Sequence, residues 1–190
     1  KNNKLNMKKL KIAGYVLLVI SICTLNSASA GIKNSTSTES DLKWTTIENA
    51  VTENKTSGKK FILVDLYTDW CGWCKKMDEN TFQESSIISL LNDGFTTVKF
   101  NAETPNPVSF NGKTFNFTKT GARGANQLAM DLGSVGGKLG YPTLVVLDEN
   151  GNKLQAFPGY KDVETLSIIL KYFKSGSYKS MDFQQYQTGQ

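Results

Sequence analysis

Apolar positions along this chain keep two rhythms in turn, one helical and one alternating, and their order predicts an α/β fold. Trp44, Ile47 and Val51 recur at helical spacing, and Gly58 stands where that helix stops. Phe61 to Tyr67 is a run of β-formers interrupted by one charge, Asp65, and reads as a buried strand. The residues after Cys71 read as a helix, Ser85 to Leu91 as another helical segment, and Phe95 to Phe100 as a second strand that Asn101 to Pro107 breaks. Two β-like runs, Val108 to Phe110 and Lys113 to Phe117, flank Asn111-Gly112, a strong short-range hairpin signal. Gly124 to Leu132 returns to helical spacing, and the glycine-rich stretch from Gly133 to Gly140 must turn. Thr143 to Leu147 is a third core strand, joined through Glu149-Asn150-Gly151 to an antiparallel neighbour, Lys153 to Phe157. Asp162 caps a last helix whose apolar face is Val163, Leu166, Ile169, Leu170 and Phe173. Strands that alternate with helices and finish in a hairpin and a helix give a central mixed sheet covered on both faces, an α/β sandwich.

Ahead of this domain the pattern changes. Lys1, Lys4, Lys8, Lys9 and Lys11 precede an uncharged stretch, Ile12 to Ala30, whose apolar core ends at Leu25 and which closes on Ala28-Ser29-Ala30. A basic region, a short apolar core and a small-residue cleavage site predict a signal peptide over residues 1–30, with Met7 the expected start. The core is shorter than the roughly 20 residues of a spanning helix, so cleavage is expected in preference to an uncleaved anchor. Lipidation of Cys23 is disfavoured by the bulky Ile22 before it. Residues 31–40 read as a Ser/Thr-rich linker, 41–176 as one domain, and 177–190 as a polar tail with scattered aromatics that the pattern leaves unassigned.

Cleavage changes the charge picture. The chain carries 22 basic and 17 acidic residues; losing the five leader lysines leaves 17 of each, so no nucleic-acid or anionic-membrane partner follows from charge. It also removes Cys23, leaving Cys71 and Cys74 as the only cysteines. With no histidine and no third mature cysteine, a four-ligand zinc site would need two chains, and Lys75 stands where covalent haem attachment needs histidine. A purely structural disulfide over so small a ring removes little loop entropy. No cofactor beyond a redox-active Cys71–Cys74 pair, and no metal, is expected.

A strand giving way to a helix at Cys71 places that thiol at a helix N-terminus, where unsatisfied N–H groups favour the thiolate. Cys74, three residues on, shares the helical face and is placed to expel a bound partner by closing an internal disulfide.

These residues resemble the thioredoxin superfamily. The resemblance rests on the strand-ending Asp65, on Trp70 before the motif, on Cys71-Gly72-Trp73-Cys74 itself, on Lys99 in the next strand and on Tyr141-Pro142-Thr143, and it runs roughly from Trp44 to Lys174. Val64 to Cys71, followed by Lys75 to Phe82, looks most like the exported thioredoxin-like proteins and the C-terminal periplasmic domain of transmembrane disulfide reductases. The chain departs from the family in its 42 residues between Lys99 and Pro142, with a hairpin insertion over 106–123 before the cis-proline strand, and in its Gly-Trp dipeptide.

The resemblance implies that Cys71 attacks, Cys74 resolves, Asp65 accepts the Cys74 proton and Lys99 tunes Asp65. For the residues alone, a solvated strand-end Asp65 and a solvent-facing Lys99 stay open. It implies a cis Tyr141-Pro142 bond that brings the Tyr141 backbone beside Cys71 to pair with a substrate strand, with Trp70 and Trp73 as apolar contact surface. Lys75 and Lys76 either lower the thiol pKa or face water. Phe110, Phe115 and Phe117 of the hairpin belong either to a substrate-selecting flap or to a packed lid. The expected function is an exported, periplasmic or extracytoplasmic, reductase of protein disulfides supplied by a membrane-embedded electron donor; an oxidant or isomerase, and a non-catalytic binding module, are the alternatives.

Overall fold

The computed structural model of the chain describes residues 41–120 and 122–189. The expected leader and linker lie outside these residues. In chain order the elements are β1 (Trp44–Thr45), α1 (Ile47–Ser57), β2 (Phe61–Tyr67), α2 (Gly72–Lys76) running into a π-helical turn (Met77–Thr81), α3 (Ser85–Gly94) and β3 (Phe95–Asn101). Two hairpins follow, β4 (Val108–Phe110) with β5 (Lys113–Phe115) and β6 (Phe117–Thr120) with β7 (Arg123–Asn126). Then come α4 (Gln127–Gly133), β8 (Thr143–Asp148), β9 (Lys153–Pro158), α5 (Val163–Lys174) and α6 (Phe183–Thr188).

The main sheet has the order β1-β3-β2-β8-β9, with β1, β3 and β2 parallel and β8 and β9 antiparallel to their neighbours. This is the mixed sheet expected from the pattern. Its central strand, β2, is covered on both faces, which is why it reads as a continuous apolar run. Ile62, Val64 and Leu66 pack with Ile47 and Ala50 of α1, Leu128 and Leu132 of α4, and Val108 and Phe110 of the first hairpin. Phe61 and Leu63 point the other way, onto Ile87 and Leu91 of α3 and Leu166, Ile169 and Phe173 of α5. Each such side chain contributes about 1.5–3 kcal/mol by leaving water. Asp65 shares the parity of Phe61 and Leu63, so it points into the α3/α5 face.

Three expectations need correction. Trp44 does not open α1; it pairs with Thr97 on the free edge of β3, and α1 starts only after Thr46 in extended conformation. Helical spacing between Trp44 and Ile47 is a coincidence of two elements that bury residues on the same sheet. Helix α4 begins at Gln127, not near Gly124, because the Asn126 side chain accepts the Leu128 N–H at 2.9 Å and caps it there. Gly124 instead lies in β7, opposite Lys119, where a Cβ would fall 2.4 Å from the Phe117 ring. Helix α5 is not the last: α6 follows, with an Asp182/Gln185 capping box. The tail's aromatics pack back onto the domain, Phe183 against Phe157 and Tyr172, Tyr178 against Phe61 and Phe173. Among the described residues no helix is long and apolar enough to cross a membrane.

Candidate active site

Strand β2 delivers its last residues to the sheet's C-terminal edge, and a tight turn carries the chain into α2. The Cys71 N–H donates to the Thr68 carbonyl at 3.1 Å, and Cys71, in extended conformation, is the N-cap of α2. Its Sγ accepts the Cys74 backbone N–H at 3.0 Å. A cysteine thus occupies the position where Ser or Asp ordinarily accepts such a donor. Cys71 and Cys74 are joined in a disulfide, their Cα atoms 5.3 Å apart. Both are buried, while Trp70 and Trp73 on either side are 52% and 57% exposed and form an aromatic rim.

Asp65, on β2 six residues before Cys71, is fully buried. In the parallel β2/β3 register Asp65 lies opposite Lys99, and the Lys99 Nζ donates to Asp65 Oδ2 at 2.6 Å. Lys99 also donates to Asp78. Asp78 sits four residues beyond Cys74 in the π-helical turn that continues α2, so one ammonium ties that turn to β2 and β3. The ammonium lies 5.0 Å from the Trp44 ring centre, 5.3 Å from Tyr67 and 5.5 Å from Phe82, so aromatic faces complete its surroundings.

Two opposing effects act on Asp65. Burial raises its pKa and the adjacent Lys99 lowers it; burial wins, and the carboxyl is pushed up to about 6. Its Oδ1 has no hydrogen-bond partner, which is part of why the charged form is disfavoured. For Lys99 burial works downward, but the charges and hydrogen bonds of Asp65 and Asp78 outweigh it and hold the ammonium above its ordinary pKa. Asp65 is therefore not a solvated strand-end residue, and Lys99 does not simply face solvent.

The Tyr141-Pro142 bond is cis. The Tyr141 ring meets Trp70 edge-on at 5.9 Å, so β8 enters beside the cysteine turn. The Trp70 indole N–H donates to Glu103 at 2.9 Å, and the Arg123 guanidinium stacks on its face at 3.8 Å. Trp73 leans on Tyr160 at 5.4 Å, with Lys76 4.9 Å over its ring. Lys75 and Lys76 are exposed. In the first hairpin Phe110 is in the core and Phe115 packs against it; Phe117, expected in the same hairpin, instead opens β6 of the second one and is exposed.

Sequence reasoning did not single out Asp78, Glu103, Arg123 or Tyr160. The i+4 spacing from Cys74 marks Asp78 in retrospect. Nothing local marks Arg123, which reaches Trp70 only through the second hairpin.

A family model described as a thioredoxin-like domain matches residues 47–174. Among curated proteins, a protein disulfide-isomerase of Medicago sativa is 23% identical over 126 residues, which is 66% of this chain and 20% of that protein. The chain therefore spans about a fifth of that relative's length. Among solved structures, a thioredoxin from Thermus thermophilus is similar at TM-score 0.52 and 17% identity, covering 70% of this chain and 88% of that one. A thioredoxin-fold protein from Helicobacter pylori is similar at TM-score 0.50 and 15% identity, covering 70% and 80%. At these identities the structures share the fold.

Proposed function

The chain belongs to the thioredoxin-like family, and from that premise we propose that it is an exported thiol-disulfide oxidoreductase that reduces disulfides in other proteins. The observation that carries this reading is Cys71 at the N-cap of α2 with the Cys74 amide directed at its sulfur. In the dithiol form the same N–H stabilises a Cys71 thiolate, the species that attacks.

The thiolate attacks one sulfur of a substrate disulfide, forms a mixed disulfide and releases the first substrate thiolate, which takes up a proton. Cys74 then loses its proton and attacks the Cys71 sulfur; the mixed bond breaks and the second substrate thiolate leaves. Two electrons and two protons pass to the substrate, and the protein ends with the Cys71–Cys74 disulfide. Asp65, with its pKa near the working pH, is assigned as proton acceptor for Cys74, and Lys99 sets its proton affinity. Trp70, Trp73, Tyr141 and Pro142 are assigned to substrate contact. The Tyr141 backbone, beside Trp70, would receive an extended substrate segment.

Export is supported by the lysine-led apolar segment ending in Ala28-Ser29-Ala30. A reductase outside the cytosol needs electrons carried across the membrane, so a membrane-embedded dithiol donor is the proposed partner. Isomerisation is the second reading, favoured by the name of the curated relative. The test is insulin reduction together with the pair's reduction potential. Turnover lost in Cys71→Ser, an adduct trapped by Cys74→Ser and a potential near about −270 mV support reduction; a potential near about −180 mV supports isomerisation. Absence of both turnover and adduct contradicts an enzymatic role.

A further inference from the structure

The second hairpin brings a cation to the residue next to the attacking sulfur. Arg123 opens β7, directly after the β6–β7 turn, and its guanidinium lies 3.8 Å over the Trp70 ring. Trp70 is in turn fixed by its indole bond to Glu103 and its edge contact with Tyr141. Stacking occupies the face of a guanidinium and leaves its in-plane N–H edge free, the edge that grips a carboxylate with two hydrogen bonds. Arg123 is exposed and, among the described residues, has no ion pair. Glu103 is held at the indole edge, and Asp69, the residue before Trp70, accepts from Asn101.

An independent feature of the sequence has the same sign. From Thr104 to Met130 the chain carries Lys113, Lys119 and Arg123 and no acidic residue. The insertion is a cationic element grafted onto an otherwise mixed surface. Across the disulfide, Trp73 also carries a cation, Lys76.

On the premise that the protein reduces disulfides, we propose that Arg123 is a specificity-determining residue that reads an acidic side chain flanking the target cysteine of the substrate. A substrate chain lying along the Trp70 rim toward Tyr141 passes under the guanidinium edge. A carboxylate there gains a charged, geometrically fixed partner, and a lysine there meets repulsion.

The test uses the whole chain and two readouts. In the first, peptides with Ser in place of the target cysteine, flanked by Glu, Gln or Lys, are titrated while the Trp70 indole N–H signal is followed by NMR. In the second, the matching disulfide-linked peptides are reduced. At low salt the Glu peptide should bind about five-fold more tightly than the Gln peptide, the order expected of a rim-exposed pair. That ratio should fall toward one in 0.5 M salt and in Arg123→Gln, and be partly retained in Arg123→Lys. Equal affinity for Glu and Gln peptides, or a ratio that survives Arg123→Gln, overturns the assignment. A binding preference without any disulfide cleavage would support Arg123 as the reader and contradict the reductase function alone.

Discussion

Asp65 and Lys99 face each other across adjacent parallel strands, 2.6 Å apart, one fully buried and the other half-enclosed by aromatic rings. Their pairing does not keep Asp65 at its ordinary pKa of 3.8; burial carries it to about 6. Below about pH 3 the carboxyl is protonated in both folded and unfolded chains, and its burial carries no charge penalty. As pH rises from 4 through 6 the unfolded chain ionises first, so folding stability is lost across that window. Asp65→Asn should therefore match the wild type near pH 3 and exceed it by about 3 kcal/mol near pH 8, as read by urea unfolding. The same variant should reduce disulfides on the order of 10²-fold more slowly.

Removing the cation acts in the opposite direction. Lys99→Met leaves Asp65 buried without its partner, so the Asp65 pKa rises further and the pH profile of turnover moves to higher pH. Stability at pH 8 should fall by roughly 2 kcal/mol, less than for a fully buried pair because Lys99 is partly solvated. The loss should shrink at pH 5, where Asp65 takes up a proton.

Much of this arrangement was legible in the sequence. Asp65 was visible as the one charge in an apolar strand, and Cys71 as a thiol where that strand meets a helix, because both follow from local periodicity. The sequence pattern alone could not say whether Asp65 was buried or Lys99 paired, since that depends on the parallel register of β2 and β3. The second hairpin was missed for a related reason: β6 and β7 alternate Thr, Lys, Gly and Arg, with too few apolar residues to reveal a strand. Tail aromatics at Tyr178, Phe183 and Tyr186 have no amphipathic period of their own and gain their order from the rings they meet on α5, β9 and β2.

That tail should contribute measurably to stability. The Phe183 ring sits 5.0 Å from Phe157 and 5.5 Å from Tyr172. Phe183→Ala is expected to lower unfolding free energy by about 2 kcal/mol, below the cost for a fully buried ring, with insulin reduction unchanged.

Trp73 should behave in the converse way. With more than half its surface in water, its truncation to Ala should change stability by no more than about 0.5 kcal/mol. The KM for a protein disulfide should rise about three-fold or more, with kcat little altered, if the proposed contact of Trp73 is with substrate.

The central claim is that Cys71 is an anion-stabilised nucleophile and Cys74 is not. In the reduced protein, the rate of iodoacetamide alkylation at each cysteine as a function of pH measures this directly. Cys71 should react first, with an apparent pKa at least about one unit below the ordinary thiol value of about 8.5, while Cys74, which is not the N-cap of α2, reacts slowly. A Cys71 pKa at or above 8.5, or equal reactivity of the two thiols, would contradict the account.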